Sequence, residues 1–367
     1  MMRSLPVKLL LLAVFVALAS FSPSSARAVA VTGQGPSLAS LGPLAFAADG
    51  TLFAADNEAA AIYALDLGAQ AAGGAQGAQA VEALDQKLAA LLGTAPGEMA
   101  ITDLAVHPRT RHAYVSVMRG QGAGAAPALF RIDGDGRIAM VSLATLAFQK
   151  VDLPNAPVAT PGARNNPRSS AITDLAFADG TLWVAGLSNE EFSSKLRAVP
   201  YPFSTIDGGT SVEIYHGNHR ALETRSPVYA FVPHTIGGER HLIAGYLCTP
   251  LVKFAVGALK PGQKVRGTTV AELGAGNRPI DMILYEKDGR EFLLMSNTRH
   301  GVMKIAAADV ATAEPITTPV ETPTGGVGYE PVASMQGIEQ LDRLDPQRSI
   351  VIARAGNALD LRVLPLP

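Results

Sequence analysis

Apolar and polar positions repeat in blocks along this chain. The segment Ile-Thr-Asp-Leu-Ala at 101–105 recurs at 172–176, and a looser copy lies at 279–283. The same apolar frame occurs at 42–46, 227–231 and, weakly, 336–338. The copies are centred on 43, 103, 174, 228, 281 and 337, so they are 53 to 71 residues apart. Such a period is typical of one four-stranded unit in a ring of repeats.

A second strand and then a third follow each copy. Asp49-Gly50 and Asp179-Gly180 are turn pairs that favour tight hairpins, and apolar runs flank them. Strands so short cannot bury both faces alone, so the repeat predicts an all-β β-propeller of about six four-stranded blades, or seven if a degenerate blade lies in a long interval. The predicted third strands are 61–65, 128–132, 195–199, 251–255, 302–305 and 359–363.

Two insertions interrupt the repeats, at 68–98 and 144–168. In the first, Val81, Leu84, Leu88 and Leu91 have helical spacing and Gly93 follows them, which predicts one short amphipathic helix. The second is rich in Pro, Ala and Asn and is predicted to be a long loop. Residues 29–367 are predicted to form a single propeller domain, with 29–32 completing the outer edge of the last blade.

The N-terminus has the features of a secretory signal peptide. Arg3 and Lys8 flank the start of an apolar run over 9–19, and Ala26-Arg27-Ala28 is a small-x-small cleavage site. We predict a signal peptide over 1–28, with an uncleaved N-terminal anchor as the alternative. No later stretch is long and uncharged enough to cross a bilayer. The expected product is a soluble monomer in the periplasm or the extracellular medium.

Composition narrows the function classes. A net charge of −2, with 17% charged residues, supplies no basic field for nucleic acid. The single cysteine, Cys248, excludes an internal disulfide, a c-type haem attachment and a thiolate metal cluster. The expected partner is therefore a small molecule or another exported protein.

Residues 43–57, Pro-Leu-Ala-Phe-Ala-Ala-Asp-Gly-Thr-Leu-Phe-Ala-Ala-Asp-Asn, resemble a blade of the NHL, YVTN and gluconolactonase-like propeller repeats. The stretch 188–234 is similar to a group of exported bacterial propellers to which no activity is assigned. The resemblance implies a propeller fold. It also implies a binding scaffold or a metal-dependent lactonase, since these families include both.

Three aspartates share one position of the repeat: Asp103, Asp174 and Asp281. That position lies at the entrance of the innermost strand, so the three carboxylates are predicted to meet near one mouth of the channel. They would suit Ca²⁺ or another divalent cation, with Thr102 and Thr173 as further oxygen ligands. The alternative is structural, with each Asp accepting backbone hydrogen bonds that fix its blade. The lactonase-like families also hold a cation at the axis, typically with Glu and Asn in other first strands, where this chain has other residues.

Two polar clusters are weaker ligand-binding candidates. His216 and His219 form a His-x-x-His pair, which is metal-ligand spacing without a clear third ligand in sequence. Asn297, Arg299 and His300 form a polar group at a strand end that would suit an anionic ligand. Both clusters are equally compatible with ordinary polar turns.

Two function classes follow from these observations. The first is an exported scaffold that binds a ligand or a protein, without demonstrable catalysis. The second is a metal-dependent, lactonase-like hydrolase with an axial cation. A quinone-cofactor oxidoreductase has less support, because the tryptophan-rich blade signature is missing.

Overall fold

The computed structural model describes residues 26–27, 29–31, 34–73, 76–160, 166–248 and 250–367. Apart from 26 and 27, the predicted signal peptide lies outside these residues. Within them, none of the helices is long and apolar enough to span a bilayer.

The described chain is mostly β-structure. Its strands are β1 (Ala26–Arg27), β2 (Val29–Val31), β3 (Leu44–Phe46), β4 (Leu52–Asp56), β5 (Ala61–Asp66), β6 (Met99–Val106), β7 (Ala113–Arg119), β8 (Ala126–Ile132), β9 (Ile138–Met140), β10 (Ala147–Asp152), β11 (Asp174–Ala178), β12 (Thr181–Leu187), β13 (Ser194–Pro200), β14 (Thr205–Ile206), β15 (Thr210–His216), β16 (Ala221–Glu223), β17 (Val228–Ile236), β18 (Glu239–Tyr246), β19 (Pro250–Ala255), β20 (Lys264–Arg266), β21 (Thr268–Leu273), β22 (Pro279–Lys287), β23 (Arg290–Asn297), β24 (Gly301–Ala306), β25 (Thr324–Gly326), β26 (Glu330–Pro331), β27 (Ile338–Arg343), β28 (Arg348–Ala355) and β29 (Ala358–Pro365). The α-helices are α1 (Leu84–Leu92) and α2 (Ala307–Thr312), and single 3₁₀ turns cover Gly68–Ala71, Pro96–Glu98, Gly122–Gly124, Leu143–Thr145, Pro167–Ser170 and Val256–Ala258.

Six sheets form the six blades of a propeller, which confirms the predicted fold; their strands pair antiparallel, except that β20 lies parallel to β15 at blade 3. We number the blades by the chain order of their innermost strands. Blade 1 contains β3, β4, β5, β10 and β2; blade 2 contains β6 to β9; blade 3 contains β11, β12, β13, β15 and β16; blade 4 contains β17, β18, β19, β21 and β25; blade 5 contains β22, β23, β24 and β26; blade 6 contains β27 to β29. The six predicted third strands correspond to β5, β8, β13, β19, β24 and β29.

The order of the blades around the ring differs from their order in the chain. The innermost strand of blade 1 contacts those of blades 2 and 3, and the innermost strand of blade 6 contacts those of blades 5 and 2. Blade 2 therefore lies between blades 1 and 6. The chain leaves blade 1 after β5, builds blade 2, and returns as β10 to pair with β5. It then proceeds through blades 3 to 6 in the opposite direction around the axis, with one return to blade 4 as β25 after β24 of blade 5.

The hydrophobic core is divided among the interfaces between neighbouring blades. Six buried clusters lie between blades 1 and 3, 3 and 4, 4 and 5, 5 and 6, 6 and 2, and 2 and 1. This is the same ring order that the strand contacts give. Each sheet buries both faces because each has a neighbour on either side, so a single blade would leave apolar surface exposed.

Two predictions about the outer strands are wrong. Residues 29–31 do not close the last blade; as β2 they pair with β10 in blade 1. The segment 144–168 is not a loop throughout, because β10 (Ala147–Asp152) is part of it. Both errors have one cause, which is that the chain returns to blade 1 as β10 after blade 2. The repeat pattern shows where blades lie along the sequence, but it does not show which strands pair across long distances in the chain.

The first insertion covers the outer edge of blade 6. Val81 exchanges two backbone hydrogen bonds with Leu361, each 2.9 Å long. Side-chain carboxylates add one bond in each direction, from Ala83 N–H to Asp360 and from Leu359 N–H to Asp85. An uncovered edge strand would offer unpaired backbone groups to another chain. The contacts of Val81, Ala83 and Asp85 with β29 pair or cover part of this edge.

The predicted amphipathic helix is present as α1, and it ends at Gly93, whose φ of +65° suits a glycine. Leu84 and Leu88 are fully buried in the core between blades 6 and 2, whereas Leu91 is 51% exposed. The apolar face is therefore narrower than the spacing predicted.

We expect Leu88→Ala to lower the free energy of unfolding by about 2–5 kcal/mol, because it leaves a cavity in the core between blades 6 and 2. Leu91→Ala, on the same helix, should change it by less than about 0.5 kcal/mol. Urea unfolding followed by circular dichroism measures both. Equal effects of the two substitutions would contradict the packing of α1.

Candidate functional site

The repeated Thr-Asp pair joins each blade to its neighbour. The Thr173 hydroxyl donates to the carbonyl of Val228, and Asp174 accepts the N–H of Phe231 at 2.7 Å. The other oxygen of Asp174 accepts the N–H of Leu175 in its own strand. One carboxylate therefore satisfies backbone donors of two adjacent blades.

The equivalent pair in blade 2 makes the same contacts to blade 1. Thr102 donates to the carbonyl of Leu41, and Asp103 accepts the N–H groups of Leu44 and Leu104 at 2.6 and 2.7 Å. Both aspartates accept the backbone hydrogen bonds that the structural alternative expects, and these bonds extend from the blade itself to the contact between blades. Thr102 and Thr173 use their hydroxyls in this contact rather than in a ligand shell.

Two further aspartates extend the series. Asp281 of blade 5 accepts the N–H of Leu341, and Asp342 of blade 6 accepts the N–H groups of Val106 and Arg343. All four inter-blade bonds run in the same direction around the ring. We call these contacts the aspartate clamps; they join blade 3 to 4, 5 to 6, 6 to 2 and 2 to 1.

The clamps line a central channel of about 540 Å³. Its wall consists of the innermost strands, and the hairpins that follow them form one mouth, with His107, Arg111 and Arg343 among the mouth residues. Asp103, Asp174, Asp281 and Asp342 all line the channel. The prediction that three repeat-equivalent aspartates face one axial space is therefore consistent with the geometry, and a fourth joins them.

Burial and mutual repulsion make these carboxylates hard to ionise. Burial raises the pKa of Asp103 to about 7 and that of Asp342 to about 6, although backbone donors oppose the shift in both. Burial also raises the pKa of Asp174 and of Asp281 well above the usual range. The charges of Asp103, Asp174 and Asp342 add to the rise at Asp281, so the four groups interact across the channel.

The predicted direct metal site at Asp103, Asp174 and Asp281 stays a prediction. Among the described residues, the one group of three or more His, Cys, Asp or Glu ligand atoms within 4.8 Å of one another lies elsewhere. A bare cation touching all three aspartates would require these side chains to move. A cation that keeps part of its water shell would not.

The close group is formed by His216, His219 and Glu223. Glu223 Oε1 lies 3.0 Å from Nδ1 of His216 and 2.6 Å from Nδ1 of His219. The two imidazole centroids are 3.7 Å apart. The structure brings the two predicted histidines together, and sequence reasoning missed the carboxylate that both rings face.

A second glutamate lies behind this group. Glu272 Oε2 is 3.4 Å from Nε2 of His216, and both side chains are fully buried. Burial alone would lower the pKa of His216, but its contacts with Glu223 and Glu272 outweigh this and raise it to about 9. Contact with His216 in turn lowers the pKa of Glu223.

Asn297, Arg299 and His300 occupy the turn between β23 and β24. The Asn297 side chain is buried and bonds to Asn277 and to the carbonyls of Met295 and Gly301, so it stabilises the hairpin. Arg299 and His300 are exposed. Asn297 and Arg299 line a groove of about 510 Å³ that also contains Arg278 and Arg354. Anion binding there stays a prediction.

Sequence reasoning missed Asp342, Glu223 and Glu272. In blade 6, Gln340 occupies the position of Asp103 next to the strand irregularity, and Asp342 lies two residues further on, so the repeat alignment passed over it. Glu223 follows His219 by four residues, which is a usable signal. Glu272 is a single charge within the apolar strand β21, and such isolated charges mark polar sites inside a core.

The fold places this chain among β-propeller proteins. No model of a known protein family matches the sequence, and no curated protein matches it. Solved structures similar in fold include the PQQ-bound aldose sugar dehydrogenase of Streptomyces coelicolor, with 12% identity, a TM-score of 0.33 and coverage of 94% of this chain and 100% of that one. A putative glucose dehydrogenase of Thermus thermophilus has 14% identity and a TM-score of 0.34, with coverage of 92% of this chain and 100% of that one. Drosophila semaphorin 1b has 10% identity and a TM-score of 0.36, with coverage of 92% of this chain and 88% of that one. These likenesses concern the fold alone.

The aspartate clamps predict a stability that depends on pH. Between about pH 4 and pH 7 the folded protein binds more protons than the unfolded chain, because the pKa values of Asp103 and Asp342 are raised on folding. Stability should therefore fall as pH rises through this window.

Asp342→Asn removes one titrating carboxyl group and one of the two side-chain oxygens that accept backbone N–H groups. We expect the variant to be about 1–3 kcal/mol less stable than wild type at pH 5, with a smaller or reversed difference at pH 8. Urea unfolding at the two pH values tests this, with Asp288→Asn at an exposed hairpin tip as the control. A difference that is the same at both pH values would refute the assignment.

Proposed function

We propose that this protein is an exported binding scaffold whose axial channel holds a hydrated divalent cation, Ca²⁺ being the best fit. The observation that carries the proposal is the convergence of four aspartates from four blades on one channel. The resemblance of 188–234 to exported propellers and the signal-like N-terminus support export.

The charge of the channel favours a cation. Four carboxylates in a confined space must be neutralised by protons or by a bound positive charge, and their raised pKa values report that cost in the absence of a cation. Most of their oxygens already accept a backbone N–H, which leaves fewer lone pairs for a ligand. Among the described residues, Oδ1 of Asp281 receives no hydrogen bond, and it is the oxygen best placed to contact a ligand directly.

A hydrated ion satisfies these restrictions. Ca²⁺ accepts six to eight oxygen ligands with flexible geometry, and some of them are commonly water. Waters bound to the ion can donate to carboxylate oxygens that are too far apart to bind it together. The hydrolase alternative would also need a nucleophile beside an open coordination position, and no contact of the described residues favours one.

Calorimetric titration with CaCl₂ near pH 7.5 tests the proposal. We expect saturable binding by wild type and at least tenfold weaker binding by Asp281→Asn, because that variant loses a charge and replaces one of two carboxylate oxygens with an amide nitrogen. The matched control is Asp288→Asn, which removes an exposed carboxylate and should bind as wild type does.

Thermal unfolding gives a second readout, since a ligand that binds only the folded state raises its stability. Saturating CaCl₂ should raise the midpoint of wild type and not that of Asp281→Asn. The proposal fails if wild type shows neither binding nor stabilisation, or if Asp281→Asn binds Ca²⁺ with unchanged affinity.

A further inference from the structure

A second polar site lies far from the axis, at the outer edge of blade 3. β15 ends at His216, a turn follows, and β16 returns to Glu223, which pairs with Ile214. This hairpin places His216, His219 and Glu223 side by side, with three ligand atoms within 4.8 Å of one another. Two imidazole nitrogens and one carboxylate oxygen are thus close enough together to act as ligands of a single metal ion.

The buried side of this group has an unsatisfied contact. His216 Nε2 and Glu272 Oε2 are both buried, and neither has a hydrogen-bond partner in the described structure, although they face each other at 3.4 Å. Glu272 is fixed in place because its other oxygen accepts the N–H of Gly217 at 2.6 Å. A small rotation of the imidazole would bring Nε2–H onto Glu272.

We propose that Nδ1 of His216, Nδ1 of His219 and a carboxylate oxygen of Glu223 bind a divalent transition metal ion, best fitted by Zn²⁺. Glu272 accepts the Nε2–H of His216 from behind and thereby fixes the tautomer that exposes Nδ1. A carboxylate behind a metal-bound histidine is a recurrent arrangement in zinc proteins.

The choice of metal follows from the donor atoms. Imidazole nitrogen is a preferred ligand of Zn²⁺, while Ca²⁺ prefers oxygen. In a tetrahedral zinc site the ligand atoms lie about 3.3 Å apart. The observed separations of 2.6 and 3.0 Å therefore need only a slight widening, which the half-exposed His219 allows.

Three protein ligands leave one coordination position free. The His219 side chain is 49% exposed, so the metal would face solvent on that side. Water or a small anion would complete the tetrahedron, as in zinc sites that bind exogenous ligands.

The surroundings hold the turn in place. The N–H of Val320 donates to the carbonyl of Gly217, and the Asn218 side chain donates to the carbonyls of Val320 and Thr322. These contacts come from the segment between α2 and β25, the strand that pairs with β21 in blade 4. Because the turn is fixed from outside its own blade, little order would need to be gained when a metal binds.

Zn²⁺ titration of the full chain, freed of metal with a chelator, tests the site, and Co²⁺ provides a spectroscopic probe. We expect one Zn²⁺ per chain and a visible Co²⁺ absorption typical of four-coordination. His219→Ala should weaken binding at least tenfold, and so should Glu223→Gln. Loss of the carboxylate behind His216, in Glu272→Gln, should weaken it by about 10- to 100-fold.

Matched controls separate this site from its neighbourhood and from the channel. Glu321→Gln removes an exposed carboxylate that pairs with Arg220 in the same turn, and it should leave Zn²⁺ affinity unchanged. Asp281→Asn should also leave it unchanged, which makes the result independent of the channel proposal. Circular dichroism confirms that each variant is folded.

The proposal is overturned if wild type binds neither Zn²⁺ nor Co²⁺ at micromolar concentration. It is equally overturned if folded His219→Ala binds them as tightly as wild type does. In either case Glu223 and Glu272 would be counter-ions of a buried, protonated His216.

Discussion

At four of the six joints, a backbone amide of one innermost strand donates to a carboxylate of the neighbouring blade, and this contact fixes the position of one blade against the next. Apolar packing holds neighbouring sheets together, but it is not directional and would tolerate sliding along the axis. A hydrogen bond to a fixed backbone N–H defines that position. The clamp at Asp174 is an example. The Thr173 hydroxyl donates to the carbonyl of Val228 and the Asp174 carboxylate accepts the N–H of Phe231, so two points three residues apart on the next strand are fixed.

The same clamps create the chemical character of the centre. A carboxylate that reaches across to the next blade must lie beside the axis, so each added clamp also adds negative charge to the channel. Joining the blades in this way raises the pKa values of Asp103, Asp281 and Asp342, because burial and the neighbouring carboxylates disfavour their charged forms. The group around His216 lies at the outer edge of blade 3 and takes no part in the aspartate clamps.

Much of the fold was predictable because it depends on local patterns. The blade count, the third strands and the helix over 84–92 follow from periodicity and turn residues, and the structure confirms them. The position of blade 2 and the role of 147–152 were not predictable, because long-range pairing leaves no local trace in one sequence. The same limit applies to the site: Asp103 and Asp174 stand in matching repeats, whereas Glu272 meets His216 only after blades 3 and 4 have packed.

The displaced second blade also affects how the ring is assembled. The outer strands of blade 1 are attached through β10, which follows blade 2 in the chain. The joint between blade 6, the last in chain order, and blade 2 completes the ring. This joint is held by the buried cluster between blades 6 and 2 and by the Asp342 clamp, and the backbone hydrogen bonds between Val81 and Leu361 add to them. Closure of the ring therefore depends on hydrogen bonds between residues far apart in the chain, such as Asp342 and Val106, which are 236 positions apart.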